Sequence, residues 1–549
     1  MKLRGTKLQV LLAVGIILPG VAHAERYLIQ FQSEKTFATY SSQVASQKSL
    51  LNQFSSGPIR SGVQFMNSTA QVTEALNALQ MVIVEAEDGV DLSLLQGNPH
   101  IRFIEKEVMI PAPQPVNSYG VYAVGAAKAS LADFNAPWGL EAVKAEQAWN
   151  VNGKGDGARV MVLDTGVDRD HPALANQFVE AQDFTGSSGL PYDYFDEVGH
   201  GTHVAGTILG ENVGVAPEAE LFVGKVCSTQ GCPSFAIAQG VNWAIEQKVD
   251  VVNMSLGGPF PSNAYVYEAA EKADVLIVAA SGNDGKNGIS YPAGHPTTFA
   301  VGAINQNFEK ADFSQWGKGL DVVAPGTEVL SAVPQGTGQT SEASINLGKG
   351  LEAVASAPMD GSAVTETTIS GDVVYAGLGK PEDFQKANVR GKIALIQRGE
   401  IAFGDKAKAA FNAGAIGVII FNNKEGLDRG TLNVSMTIPV VMIDQASGNA
   451  IVDASSKAEV DASIGVLASD YAELQGTSMA SPHVAGVAAL VRAANRDLTA
   501  AEVRELLRST AVPLTGDNSE NQWGSGLIDA ERAVEAAVSG SINKVAVGQ

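Results

Sequence analysis

The chain has 549 residues, 45% of them apolar, and a formal charge of −22 from 59 acidic and 37 basic side chains. That length accommodates roughly two to four domains with ample core-forming material. The charge argues against nucleic acid as the main partner, since phosphate binding wants a basic surface, and it fits a well-solvated protein.

The N-terminus has the pattern of an export signal. Lys2, Arg4 and Lys7 precede the apolar run Val10 to Leu18, and Ala22-His23-Ala24 supplies a small-x-small cleavage site. We therefore expect a signal peptide over 1–24 and a secreted, extracellular product, with the periplasm as a waypoint during maturation. The run is short for a membrane span, and no later run is long enough to cross a bilayer, so no stable span is expected. Cys227 and Cys232 are the only cysteines. In an exported chain so close a pair is expected to close a small disulfide loop; a two-ligand metal site is the weaker alternative.

Residues 25–110 form the next predicted module. Tyr27–Phe31, Met81–Glu85 and Ile101–Glu105 read as strands, with helices over Ser41–Phe54 and Val90–Leu95, which suggests a small α+β sandwich. Pro111-Ala112-Pro113-Gln114-Pro115 then stops regular structure, and 111–133 reads as an accessible linker suited to cleavage. From 134 to 335 strands and helices alternate. Arg159–Leu163, Leu221–Val223, Val249–Met254, Val275–Ala279 and Phe299–Val301 are apolar strands, and Ala236–Glu246 and Tyr265–Ala273 carry helical spacing. This is the α/β pattern of a parallel sheet covered on both faces, whose ligand sites lie beyond the carboxyl ends of the strands. Asp164 sits at one such end. Residues 336–469 change character and read as a separate small α/β domain inserted into the larger one. Its strands are Lys392–Gln397, Ile416–Phe421 and Ile438–Ile443, with a helix over Lys406–Ala413. The main domain resumes over 470–540 with helices, and 541–549 is a tail.

Three segments carry candidate chemistry. Asp164 lies in Leu163-Asp164-Thr165-Gly166, His200 in Gly199-His200-Gly201-Thr202-His203, and Ser478 in Gly476-Thr477-Ser478-Met479-Ala480. Ser478 precedes an Ala-rich helical run and by itself reads equally as a helix cap or a nucleophile. A serine nucleophile needs an imidazole to take its proton and a carboxylate to orient that imidazole. His203 and His483 read as structural helix residues, Asp168 and Asp170 as turn or surface carboxylates, and Ser481 as a first-turn helix residue beside Pro482.

These segments, with Asn253-Met254-Ser255-Leu256-Gly257-Gly258 and Ala280-Ser281-Gly282-Asn283, resemble the subtilisin-like serine proteases, in which the chain order is also Asp, His, Ser. The module at 25–110 resembles that family's inhibitory propeptide. The insertion resembles a protease-associated domain, through Gly391 to Gly399 and Ala413 to Val418. The resemblance implies Ser478 as nucleophile, His200 as general base and Asp164 as orienting carboxylate. It also implies Asn283 as the side-chain donor of the oxyanion hole, with the Ser478 N–H as the second donor. Ser255, Leu256 and Gly257 would pair with extended substrate, and Ala280, Ser281 and Gly282 would wall the primary specificity pocket.

The implied protein is a secreted, monomeric endopeptidase acting on extended or unfolded polypeptides. It would be made as a zymogen inhibited by its own propeptide and processed in the linker. Ser281 and Ser290 add hydroxyls to a pocket without an evident acidic floor, so apolar or medium side chains are expected there. No cofactor is required for the chemistry. Ala173 stands where many relatives carry a calcium-binding aspartate, and Gly210 to Gly214 is shorter than the usual calcium loop, which puts that site in doubt and leaves structural calcium elsewhere open. The rival reading is a catalytically silent relative that binds protein through the insertion. An α/β-hydrolase esterase is disfavoured by the order of the three residues.

Overall fold

A computed structural model describes residues 25–42, 70–87, 90–113, 117–119, 137–186, 193–515 and 521–540. The predicted signal segment, most of the linker and the tail lie outside the described residues. The chain divides into two compact units, 1–107 and 108–549.

The first unit holds an antiparallel sheet of β1 (Glu25–Phe31), β2 (Ala70–Leu76), β3 (Met81–Ala86) and β4 (Ile101–Lys106), in the order β2-β3-β1-β4. Tyr27, Ile29, Val82, Val84 and Ile101 form its core with Phe37 from the helix Glu34–Ser41. That helix precedes the predicted helix Ser41–Phe54, most of which lies outside the described residues. The Ser33 hydroxyl accepts from the Thr36 N–H at 3.2 Å, an N-cap for this helix. Residues 92–95 make a 3₁₀ turn rather than a full helix. Sequence periodicity missed β2 because a bulge between Val72 and Glu74 shifts its alternation by one residue.

The second unit begins with two short strands, β5 (Met109–Ile110) and β6 (Asn117–Tyr119). Its main sheet contains β7 (Arg159–Asp164), β8 (Phe178–Asp183) and β9 (Glu220–Lys225). After the edge strand β10 (Cys232–Pro233) it continues with β11 (Val251–Met254), β12 (Leu276–Ala280), β13 (Thr298–Ile304) and β14 (Val322–Pro325). The order is β14-β13-β12-β11-β7-β9-β8, and every pairing is parallel. Four of these strands are buried along their whole length, as expected when helices cover both faces. β8 escaped detection because it is an edge strand whose first five residues are all partly or fully exposed, with little apolar pattern. The chain steps to opposite sides of β7 to reach β9 and β11, so the topological switch point lies between β7 and β11.

The insertion leaves the main domain after β15 (Val329–Ala332). Its strands are β16 (Gly338–Asn346), β17 (Leu351–Ala353), β18 (Ser356–Pro358), β19 (Ile369–Tyr375), β20 (Ile393–Gln397), β21 (Gly417–Phe421), β22 (Val440–Ile443) and β23 (Asp461–Ser469). They form one mixed sheet with apolar clusters on either face, and the helices Phe403–Asn412 and Gln445–Ser455 contribute to them. The return strand β24 (Tyr471–Gln475) pairs with β15 in the register Val329↔Leu474 to Ala332↔Tyr471. The helix Thr477–Ala494 then crosses the main sheet, buried from Thr477 to Arg492, as a helix apolar on all sides must be.

Candidate active site

The switch point sets the site. Asp164 is the last residue of β7, Ser255 follows β11 directly, and Asn283 lies three residues past β12, so all three emerge at the carboxyl edge. The helix His200–Leu209 approaches the loop after β7 so closely that a side chain on Gly201 would sit 2.2 Å from the Gly166 carbonyl oxygen. Only glycine permits that contact, which brings His200 onto Asp164.

His200 Nδ1 lies 2.7 Å from Asp164 Oδ1, and both residues are at most 1% exposed. The Thr165 N–H donates to the same oxygen at 2.7 Å. Burial alone would lower the imidazolium pKa. The charge and hydrogen bond of Asp164, with Asp196 behind them, more than offset it and hold His200 above the ordinary histidine value. Its Nε2 is buried and has no hydrogen-bond partner among the described residues. An imidazole so arranged, with Nδ1 committed and Nε2 unengaged, can accept a proton.

Ser478 is the second residue of its helix, not its cap. The N-cap is Gly476, at φ +154°, where an added Cβ would lie 3.3 Å from Asn283 Nδ2. The Ser478 N–H therefore belongs to the first helical turn, where backbone donors have no intrahelical acceptor. Pro482 lies inside this helix, so Ser481 and Pro482 are not first-turn residues as the sequence suggested. The displacement has a consequence. Pro482 has no N–H to donate to the Ser478 carbonyl four residues back, and the Ser255 hydroxyl donates there instead at 2.7 Å. Ser481 Oγ lies 2.9 Å from the same hydroxyl, and the Asn253 amide donates to it at 2.9 Å. The Ser478 hydroxyl itself donates to the Ser255 carbonyl at 3.0 Å.

Asn283 Oδ1 accepts from the Thr477 N–H and hydroxyl, both at 2.9 Å, which fixes the carboxamide and leaves Nδ2 as its remaining donor. Asn283 and Ser478 line one cleft of about 560 Å³ together with Ser255, Leu256, Gly257, Ala280 and Gly282. Ser281 is placed differently: it is fully buried and its hydroxyl donates to the Gln315 carbonyl at 3.0 Å. Ser290 stays in the lining, where it donates to Gln315 Oε1 at 3.1 Å. The sequence reading passed over Gln315, whose role depends on a fold-back invisible in local pattern. Asp284 and Lys286 form an exposed ion pair, 2.7 Å apart, on the same lining.

The other two histidines of these motifs point elsewhere. His203 Nε2 faces the Val329 and Ala472 carbonyls, and burial lowers its pKa to about 3. His483 bonds the Met479 carbonyl, and burial lowers it to about 4. Ala173 packs with Val213, Leu330, Ala332 and Tyr471 in an apolar cluster. No group of three or more metal-ligating side chains occurs among the described residues.

Cys227 and Cys232 form a disulfide that closes the predicted loop. The strand β10 that it anchors pairs antiparallel with β5, Cys232 opposite Ile110 and Pro233 opposite Met109. Beyond that pairing, Pro111, Ala112 and Pro113 line the cleft beside Ser478. Further along, the backbone of β6 pairs with β24, Asn117 opposite Gln475. Residues 109–110 thus pair with β10, and 117–119 with β24.

A buried carboxylate–imidazole pair and a serine at a helix start, on elements around the switch point of a parallel sheet, are the residue types that a serine hydrolase of the Asp-His-Ser type uses. Comparison with known proteins narrows the class. The Subtilase family (Peptidase_S8) model matches residues 155–361 and 431–526, more than half of the chain, and the PA domain model matches 369–451. The chain is 39% identical over 273 residues to an alkaline protease of Alkalihalobacillus alcalophilus, covering 47% of this chain and 69% of that one. It is 45% identical over 211 residues to subtilisin Savinase of Lederbergia lenta, covering 37% and 76% respectively. Among solved structures it resembles the psychrophilic subtilisin-like protease Apa1 from the Antarctic psychrotroph Pseudoalteromonas sp. AS-11, with TM-score 0.53 and 30% identity over 73% of this chain and 98% of that one. The chain belongs to the subtilase family, as a serine peptidase with an inserted PA domain.

Proposed function

We propose that Ser478 is the nucleophile, His200 the general base and later acid, and Asp164 the carboxylate that fixes the imidazole tautomer and stabilises the imidazolium. Ser478 attacks the scissile carbonyl as its proton passes to His200 Nε2. The Asn283 Nδ2 group and the Ser478 N–H stabilise the oxyanion, the leaving amine takes the proton back, and water repeats the sequence on the acyl-enzyme. No cofactor enters these steps. Substrates are extended or unfolded polypeptides that pair with Ser255, Leu256 and Gly257 on one side and β10 on the other.

The chain is exported under its 1–24 signal and made as a zymogen. Residues 25–110 act as an inhibitory propeptide, and cleavage within 111–133 releases it. No described helix is long and apolar enough to cross a membrane. The observation that carries the proposal is the chain's own segment 109–113, paired to β10 and running into the cleft beside Ser478. Expressed alone, the Ser478→Ala protein should remain uncut and should not react with a fluorophosphonate. Processing at the parent rate would assign maturation to another protease.

A further inference from the structure

One buried carboxylate belongs to no step above. Asp196 is 1% exposed and lies in the loop that leads into the His200 helix. Its Oδ1 accepts from the Thr165 hydroxyl at 2.8 Å, the Val198 N–H at 3.1 Å and the Gly199 N–H at 2.8 Å. Its Oδ2 accepts from the Thr202 N–H at 2.8 Å and the Thr202 hydroxyl at 2.7 Å. All five partners are donors, a set that only the carboxylate form satisfies. Three are backbone N–H groups at the start of the helix, where negative charge is favoured.

The two sets of partners lie on different elements. Thr165 follows Asp164, and its N–H holds Asp164 Oδ1. The Thr165 hydroxyl also accepts from the Gly201 N–H at 2.9 Å, and the Thr202 hydroxyl accepts from the Asp168 N–H at 3.1 Å. One carboxylate therefore ties the end of β7 to the first turn of the His200 helix, on either side of the 2.7 Å contact between Asp164 and His200. We propose that Asp196 is the positioning residue of this site, holding the strand of Asp164 and the helix of His200 at the separation their hydrogen bond requires. The proposal rests on the reading of His200 as the general base.

The charged groups around the pair are few. Asp164 faces His200 from β7 and Asp196 from the preceding loop, and His203 lies one turn along the same helix. Asp168 follows β7, and the ammonium of Lys225 on β9 donates to the Phe195 carbonyl at 2.7 Å. Asp196 contributes to keeping the His200 pKa high. Removing its charge should therefore lower the pH at which the imidazole loses its proton.

Asp196→Asn tests this, because an amide of the same shape cannot accept five donors. With a chromogenic peptide on the mature enzyme, kcat should fall ~10- to 100-fold while KM changes little, the signature of lost alignment. The acid limb of kcat/KM should move to lower pH. In a Ser478→Ala background the NMR titration of the His200 Nδ1 proton should move the same way, a readout independent of turnover. Thr165→Val should reproduce a smaller loss of kcat and Thr165→Ser should restore it, which keeps the test open should Asp196→Asn fold poorly. An unchanged His200 titration, or Thr165→Val with parental kcat, would overturn the assignment.

Discussion

Changing Ser255 to alanine isolates one consequence of the proline in the nucleophile's helix. The Ser255 hydroxyl is the donor to the Ser478 carbonyl at 2.7 Å, in place of the N–H that Pro482 lacks. The substitution leaves that buried carbonyl and the Asn253 amide, 2.9 Å from the hydroxyl, without their partners. Each buried orphan costs ~1–3 kcal/mol, so the pair should cost ~2–6 kcal/mol. For a domain of this size, that lowers Tm by ~3–10 °C. The assay is thermal unfolding in a Ser478→Ala background, which prevents self-digestion and keeps the carbonyl in question. Active protein carrying Ser255→Ala should lose ~10-fold in kcat/KM as the serine backbone loosens. Adding Pro482→Ala restores an N–H four residues after Ser478 and should recover most of the lost Tm. A Ser255→Ala Tm within a degree or so of the parent would refute the reasoning, as would a double variant less stable than the single one.

Further expectations follow from the same geometry. Asn283→Ala should lower kcat ~100- to 1,000-fold with little change in KM, the range known for the equivalent change in subtilisin itself; an equal effect on KM would point to ground-state binding. The base must be neutral to work, and His200 is held above the ordinary histidine value, so kcat/KM should rise with an acid limb above pH 6.5. Asp164→Asn should move that limb down while kcat falls ~10⁴-fold, and a limb left in place would reassign it. His483 is neutral down to about pH 4 when folded, whereas its unfolded form takes a proton near 6.5, so stability drains away as pH falls between those values. His483→Asn should flatten the slope of Tm against pH over that window, and parallel slopes would contradict it. Cys227→Ser with Cys232→Ser removes the short loop closure, which should cost ~2 kcal/mol. It should raise KM for extended peptides more than it changes kcat, because Cys232 lies in the pairing edge.

The sequence revealed most where chemistry and local pattern coincide. Asp164 was readable because an apolar strand ends on it, and Ser478 because small residues and a helical run flank it. The same was true of the central strands of the parallel sheet, whose uninterrupted apolar runs follow from burial on both faces. Features that depend on partners distant in the chain were hidden. Ser281 looked like a pocket hydroxyl until Gln315 folded back to accept from it, and β8 lacks alternation because it lies at an edge. Pro482 suggested a helix start, since its real position is tolerated only through Ser255, more than two hundred residues earlier. Asp196 gave no signal, because an acid before a helix is an ordinary cap until its contact with Thr165 is seen.

The stem of the inserted domain has a mechanical meaning. β15 and β24 pair antiparallel from Val329↔Leu474 to Ala332↔Tyr471, and β16 continues the ladder against β23 from Gly338↔Ser469. The two connections thus enter and leave side by side, about 5 Å apart at paired positions. A pull on the inserted domain, as from a large substrate tethered there, would load this ladder from its open end and part its hydrogen bonds one at a time. The last to yield lie at Leu474, four residues before Ser478. Tension at the periphery would therefore reach Ser478, the proposed nucleophile, only after the stem had opened.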